Sequence, residues 1–385
     1  MNILLSLAER LSYGRLSLTL PNGRRHVVTA PNPGPSAELT VHRPRFLRRL
    51  LSGGDLGFAE AYLDGDCDTD DLTALIQLAT RNEAELGKVL NARPWVQGLA
   101  RLGHRLHPNT RRGSRRNISA HYDLGNAFYA AWLDPTMTYS AAVFTGEDQS
   151  LEAAQREKYR RIAAMAGLRP EHHVLDIGCG WGGFALHAAR EIGCRVTAVT
   201  ISQAQSEEAR KRVAEAGLED RVEILLRDYR DIEGRYDRIV SIEMVEAVGE
   251  AWWPTYFTRL RELLAEGGRA VLQSITIDES AFPAYRRGAD FIQRYIFPGG
   301  MLPSPSVLRE QGRAAGLTPV AEAAYGGDYA ETLRRWRDTF ETAWPEIEAM
   351  GFDRRFRRLW RYYLAYCEAG FMEGRIDLRH IAFER

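Results

Sequence analysis

The residues best placed to do chemistry lie in one run, Val174-Leu175-Asp176-Ile177-Gly178-Cys179-Gly180-Trp181-Gly182-Gly183, where a short apolar segment closes on three glycines spaced G-x-G-x-x-G (Gly178, Gly180, Gly183). The following Phe184 to Arg190 reads as a helix. Strand, glycine turn and helix in that order bring a nucleotide-like ligand against backbone amides at a helix start. Glycines are needed because a Cβ would hold the ligand off the chain. Dinucleotide enzymes and S-adenosylmethionine (SAM) methyltransferases share this pattern, and two details favour SAM. Asp176 stands on the strand just before the loop, where methyltransferases often carry an acid. The next strand ends Val199-Thr200-Ile201-Ser202, with no acid about 20 residues past the loop, where a nicotinamide fold needs one for the ribose.

Composition narrows the class. A chain of 385 residues predicts two or three domains. Lys+Arg and Asp+Glu both number 51, so net charge offers nothing to a nucleic acid. Cys67, Cys179, Cys194 and Cys367 form no C-x-x-C or Cys/His spacing, which argues against a metal site or a disulfide framework. No apolar run approaches the ~20 residues that span a bilayer. Met1 to Arg10 mixes polar and charged residues too closely for a signal peptide, so a cytoplasmic protein is expected.

Around the glycine run, the elements alternate. Helix 151–166 leads into strand 172–177, helix 183–192 into strand 195–200, and helix 203–216 into strand 222–226. Strand 236–242 follows Asp228-Tyr229-Arg230, and helix 252–265 leads through Gly267-Gly268 into strand 269–276. Such alternation predicts an α/β, Rossmann-like, doubly wound parallel sheet with its ligands at the carboxyl ends of the strands. An irregular stretch rich in Phe, Tyr, Pro and Gly spans 278–306, and the remainder reads as helical. Ahead of this lies a smaller domain, 1–105, with strands near 16–20 and 26–28, a loop from Pro31 to Pro35, and an Asp70-Asp71 cap on a helix through Leu78. Its segment Arg45 to Leu51 is a basic amphipathic helix, able to rest on anionic lipid or simply on solvent. A linker at 106–120 carries Arg111, Arg112, Arg115 and Arg116, a charge that anionic headgroups would attract.

Several stretches taken together resemble the cyclopropane-fatty-acyl-phospholipid synthase family, which includes mycolic acid cyclopropane synthases. They are Asn117 to Asn126, Met137-Thr138-Tyr139-Ser140, Leu175 to Gly183, Thr200 to Gln205, Arg227 to Asp231, Tyr295 to Gly300 and Trp344-Pro345-Glu346. The match covers about 117–385 and reaches the first domain through Gly54 to Tyr62 and Gly65-Asp66. The resemblance implies a SAM-dependent methyltransferase domain at 121–385 behind a lipid-binding domain. Tyr139 and Ser140 would close over the methionine end of SAM, and Asp176, Gly178, Gly180 and Trp181 would hold its carboxylate and ribose side. Thr200, Ser202 and Gln205 would meet the ribose, and Asp228 and Tyr229 the adenine. Read without the resemblance, Tyr139 is a core aromatic and Asp228 a turn residue.

A SAM methyl is electrophilic and an acyl-chain alkene is a weak nucleophile, so transfer needs alignment in a dry pocket rather than a base. The carbocation that forms must then lose a proton, and where it is lost decides between a cyclopropane and a branched or methylene product. The resemblance supplies a bicarbonate base held by a Cys, a Glu, a His, a Tyr and an Ile carbonyl. Here Glu246, Tyr329 and Ile275 keep those positions, while Ala141 replaces the Cys and Gln273 the His. Bicarbonate is therefore doubtful, and Glu246, Glu243 or Glu147 becomes a direct acceptor, with Glu246 preferred. The family also credits Cys367 with reactivity, although its apolar and aromatic neighbours read as a buried structural thiol. Aromatic residues of 278–306, among them Tyr285, Phe291, Tyr295, Phe297 and Met301, are candidates for an acyl slot. The expected enzyme is a homodimer, peripheral on the inner membrane, that methylates double bonds of phospholipid acyl chains, with cyclopropane formation as the family default.

Overall fold

The computed structural model describes residues 2–90 and 124–385. The basic linker expected at 106–120 and the matched run from Asn117 to Asp123 lie outside the described residues. The chain divides into two units that interleave along the sequence. One takes Met1–Leu106, Ala284–Ile296 and Trp344–Arg375, and the other His107–Pro283, Phe297–Ala343 and Ile376–Arg385.

The first unit holds a four-stranded sheet, β1 (Tyr13–Thr19), β2 (Arg25–Thr29), β3 (Asn32–Val41) and β4 (Cys67–Asp68), in the order β2-β1-β3-β4. Pro33 and Pro35, expected in a loop, open β3, where the β1–β3 register shifts between Tyr13 and Arg15. A bulge is where a strand tolerates a residue without an N–H. The helix expected over Arg45 to Leu51 continues as Arg45–Leu63 through one residue of positive φ, Gly54. Two of its arginines are tied to acids of the same unit. Arg45 Nε lies 2.6 Å from Asp66 Oδ1, and Arg49 reaches Asp66 Oδ2 at 3.1 Å and Asp64 Oδ2 at 2.7 Å. Asp66 is fully buried, so this network ties the helix to the turn before β4.

The second unit is a seven-stranded sheet in the order β10-β11-β9-β8-β5-β6-β7. Its strands are β5 (His173–Ile177), β6 (Arg195–Thr200), β7 (Val222–Leu226), β8 (Tyr236–Ile242), β9 (Leu264–Ile277), β10 (Thr318–Ala324) and β11 (Ile376–Glu384). Strands β5 to β9 are parallel as expected, but β11 pairs antiparallel with β9 and β10 antiparallel with β11, so the sheet is mixed. Helix Leu151–Ala166 starts where the Ser150 hydroxyl accepts from Ala153 N and ends at left-handed Gly167. Such caps each stabilise a helix by ~1 kcal/mol. Its face Tyr159, Ile162 and Ala166 packs on the sheet core of Val174, Val196, Ala198 and Val240. The stretch 278–306 is divided. Phe291 and Tyr295 belong to the first unit, where Phe291 meets Tyr362 at 4.5 Å, while Phe297 and Met301 belong to the second. Among the described residues no helix is long and apolar enough to cross a membrane.

Candidate active site

The glycine loop closes β5 at the carboxyl edge of the sheet. Gly178 N and Cys179 N both donate to Val199 O, at 2.9 and 3.0 Å, so the loop is pinned to the end of β6. The three glycines serve different ends. A Cβ on Gly178 would strike Met244 Cγ at 2.9 Å, and one on Gly183 would strike the Tyr159 hydroxyl at 2.4 Å. Gly180, at φ +55°, faces open space, the direction from which a ligand approaches. Below the loop Asp176 is buried, with Oδ2 lacking a hydrogen-bond partner among the described residues. Burial raises its pKa to about 7, opposed by Lys158. A buried carboxylate oxygen without a donor fits the ammonium of an amino-acid ligand.

The other expected cofactor residues gather on the same edge. Thr200 Oγ1 donates to Gln205 Oε1 at 2.8 Å, and Ser202 caps helix Gln203–Glu215. Asp228 is buried and held by Arg230 at 2.6 Å, and the ring of Tyr229 meets that of Tyr256. The Tyr229 hydroxyl has no hydrogen-bond partner among the described residues. Trp181 Nε1 donates to Asn126 Oδ1 at 2.8 Å, and Tyr139 lies against Tyr129, Trp132 and Trp336 with ring centres 5.3–5.6 Å apart. Tyr139 is thus both a core aromatic and a member of the wall beside the loop.

Behind this wall the backbone from Ser140 to Phe144 is strapped down by side chains. Gln155 Nε2 donates to Ser140 O, Thr332 Oγ1 accepts from Ala142 N at 3.0 Å, and Asp328 Oδ1 accepts from Phe144 N at 2.6 Å. Lys158, fully buried, donates to Ser140 Oγ at 2.6 Å. Burial lowers its pKa to about 7, with Glu243 foremost among the acids that pull it back up. A lysine on the apolar face of helix Leu151–Ala166 was legible in the sequence, and pattern reading passed over it.

Of the expected catalytic residues, Gln273 and Tyr329 converge on Glu243, while Ile275 meets Glu246. Glu243, one residue past β8, receives three donors: Ala141 N at 2.9 Å and Gln273 Nε2 at 2.7 Å on Oε1, and Tyr329 Oη at 2.6 Å on Oε2. Its backbone is left-handed at φ +50°, rare for a non-glycine residue. Loss of hydration raises its pKa, while Tyr329, Ala141, Gln273 and Lys158 favour the anion. Gln273 is itself set by His380 on β11, whose Nε2 lies 2.8 Å from Gln273 Oε1. Burial drives the His380 pKa down to about 3, so the ring is neutral and donates from Nε2. Glu246 sits beside this group. Ile275 N donates to its Oε1, its Oε2 has no hydrogen-bond partner among the described residues, and burial aided by Glu243 raises its pKa to about 8. A carboxyl pushed up that far favours its protonated form, which makes Glu246 a weaker proton acceptor than Glu243. The carbonyl of Ile275 accepts from Ser274 Oγ at 3.1 Å. Cys367 is half-buried and belongs to the first unit, whereas Glu243 belongs to the second.

A bicarbonate ion does not fit this arrangement. Ala141 N, Gln273 and Tyr329, the donors a small carboxylate-shaped ion would use, are engaged by Glu243. A second anion there would lie against that carboxylate in a poorly hydrated site, where like charges disfavour each other's ionised form.

Fold and glycine loop define the class: an α/β SAM-dependent methyltransferase with a mixed sheet. Residues 109–381 match the family described as mycolic acid cyclopropane synthetase, and the chain belongs to it. It is 42% identical over 350 residues to the tuberculostearic acid methyltransferase UfaA1 of Mycobacterium tuberculosis, covering 88% of this chain and 81% of the relative. It is 37% identical to the cyclopropane-fatty-acyl-phospholipid synthase of Escherichia coli, covering 92% and 90%. Among solved structures, mycolic acid cyclopropane synthase CmaA1 complexed with SAH and CTAB superposes with a TM-score of 0.66 at 30% identity, covering 70% of this chain and 98% of that one. The chain is an enzyme of lipid methyl transfer, and its cofactor is SAM.

Proposed function

We propose that this chain transfers the methyl of SAM to one carbon of the double bond in an unsaturated acyl chain of a membrane phospholipid, and that Glu243 takes the proton the product must lose. The observation that carries this reading is the Glu243 carboxylate, oriented by three donors while its backbone is held left-handed. Bound SAM supplies an electrophilic methyl on a sulfonium. The glycine loop and Asp176 hold it, and the wall of Tyr129, Trp132, Tyr139 and Trp336 keeps water from the reacting carbons. As the S–CH3 bond breaks, its electron pair stays on sulfur, and the π pair of the alkene forms the new C–C bond. The second alkene carbon is left cationic. One C–H bond of the new methyl then gives up its pair, either closing a ring or, after a hydride shift, forming a methylene. In each event Glu243 receives the proton.

A fixed internal carboxylate supports the reading without bicarbonate, in which the acyl chain gains a methylene branch, or a methyl branch on a retained double bond when the proton leaves a neighbouring chain carbon. The relative at 42% identity bears the name of a fatty-acid methyltransferase. Ring closure is the second reading, favoured by the retention of Glu246, Tyr329 and Ile275, with Ile275 N donating to Glu246 and Tyr329 to the neighbouring Glu243.

The test is incubation with SAM and vesicles of unsaturated phospholipid, in buffer stripped of carbon dioxide and again with bicarbonate, followed by mass spectrometry of the released fatty acids. A gain of one CH2 at equal rates in both buffers is expected. Mild hydrogenation distinguishes the products, because a methylene takes up hydrogen and a ring does not. No gain in mass overturns the function, and a rate that collapses without bicarbonate removes Glu243 as the base.

A further inference from the structure

A fully buried lysine, Lys158, lies in the second unit beside the Glu243 group. It follows Gln155, also fully buried, by three residues, the spacing that puts both on one face of the helix Leu151–Ala166. The two side chains grip a single residue. Gln155 Nε2 donates to Ser140 O at 2.9 Å, and Lys158 Nζ donates to Ser140 Oγ at 2.6 Å. The next amide along the chain, Ala141 N, is the backbone donor to Glu243, and the one after it, Ala142 N, is held by Thr332. The helix therefore sets the N–H that orients the carboxylate.

Anchoring alone does not call for a charge, because a neutral side chain could fill the same space without desolvating an ammonium. Three carboxyl groups supply the reason. Loss of hydration disfavours the charged lysine, and Glu243, Asp134 and Asp176, in that order, favour it. Asp134 and Asp176 are buried, and each has one oxygen without a hydrogen-bond partner among the described residues. The ammonium also lies 4.5 Å from the Tyr159 ring centre, a placement that favours a cation. Of the other titratable groups around it, His380 on β11 is neutral, His187 meets the Tyr159 ring, and Arg161 pairs with Glu157 at 2.8 Å.

We propose that Lys158 is a positioning residue of methyl transfer, which anchors Ser140 and whose charge keeps Glu243 ionised and ready for the proton. This rests on Glu243 as the acceptor, and adds that the lysine as well as the three hydrogen-bond donors sets the pH at which Glu243 works. Without the lysine, loss of hydration at Glu243 is opposed by hydrogen bonds alone, and the protonated form gains.

The test compares wild type with Lys158→Met, which keeps the stem and removes the charge, and with Lys158→Arg, which keeps the charge. Turnover of SAM with unsaturated phospholipid vesicles is followed over roughly pH 5.5–9, beside S-adenosylhomocysteine affinity and melting temperature. Activity falls on the acid side as Glu243 is protonated, so loss of a cation that favours its anion moves this limb to higher pH. In Lys158→Met the limb should move by about one pH unit, which lowers acid-side turnover about tenfold, while S-adenosylhomocysteine affinity stays within a few-fold. Lys158→Arg should keep the limb at its wild-type position, whatever its maximum rate. A limb that coincides in wild type and Lys158→Met shows that Glu243 does not sense the lysine, and an equal shift in Lys158→Arg assigns the effect to packing. Either result overturns the proposal. If Lys158→Met does not fold, Ser140→Ala decides, because it keeps the lysine and removes its acceptor. Turnover should then fall with the limb in place, and unchanged turnover or a displaced limb overturns the proposal. A wild type without an acid limb would strike Glu243 as the acceptor and the role of Lys158 with it, and a wild type that adds no mass to lipid would strike the proposed function.

Discussion

A left-handed glutamate costs about 1–2 kcal/mol relative to glycine, so Glu243 is retained against the preference of the backbone. If its place is kept by chemistry rather than by packing, Glu243→Gly should separate the two. Methyl turnover is expected to fall ~10²-fold or more, the usual worth of a positioned base, while S-adenosylhomocysteine affinity stays within a few-fold. The melting temperature should fall, because relief of backbone strain is outweighed by three buried donors left without their acceptor. A variant that keeps its turnover removes Glu243 from the mechanism. Glu246 gives a prediction of the opposite kind. Its folded pKa of about 8 exceeds the unfolded 4.5, so the folded state retains a proton that the unfolded chain has lost between those values. Its contribution to stability is therefore complete below about 4.5 and declines as pH rises toward 8, by at most roughly 5 kcal/mol. Glu246→Gln mimics the neutral acid. It should keep turnover within about tenfold, and its melting temperature should gain on wild type as pH is raised from 6 to 9. Equal melting curves at both ends would show that Glu246 is ionised when folded.

At the scale of elements, the glycine loop ties a sequence pattern to a steric requirement that differs at each position. Gly183 is a glycine because the Tyr159 hydroxyl, hydrogen-bonded at 2.7 Å to Thr138, occupies the place of its Cβ. Gly183→Ala should destabilise by about 1–3 kcal/mol, as overpacking does, and weaken S-adenosylhomocysteine binding. Adding Tyr159→Phe should restore part of both, and a double variant no better than the sum of the single ones would show that the two do not meet. This loop, strands β5 to β8 and the helices between them were legible because apolar periodicity switches cleanly there between strand and helix. The antiparallel edge was not. β10 is largely exposed and β11 alternates charged with apolar residues, so 307–385 reads as one helical run. Glu243 was visible as an acid at a strand end, but its donors come from positions 141, 273 and 329, and no spacing along the chain announces that convergence. His380 was hidden for the same reason, since only the β9–β11 register places it opposite Gln273.

At the scale of the whole molecule, sequence suggests cutting the chain between a first domain ending near 105 and a catalytic domain from 121. The two units run otherwise, because helix Arg354–Met372 completes the first unit although it lies far along the chain. Its buried polar groups depend on partners before residue 91. Arg358 donates to Tyr62 O and Cys67 O, Thr73 Oγ1 lies 3.0 Å from Glu368 Oε2, and Gln77 Nε2 donates to Glu373 at 2.8 Å. Tyr362 packs on Phe58 and Tyr62 as well as Phe291. A fragment 121–385 keeps every residue proposed to hold SAM or the proton, yet it strands Arg358 and Glu368 without those partners and exposes an aromatic face. Each buried polar group left unsatisfied costs about 1–3 kcal/mol, more when charged. The fragment should therefore bind an environment-sensitive hydrophobic dye and self-associate, although its S-adenosylhomocysteine site is intact. Co-expression with residues 1–120 should restore a soluble complex. A fragment that stays monomeric, excludes the dye and melts in one transition would show that the helix belongs to the catalytic unit alone.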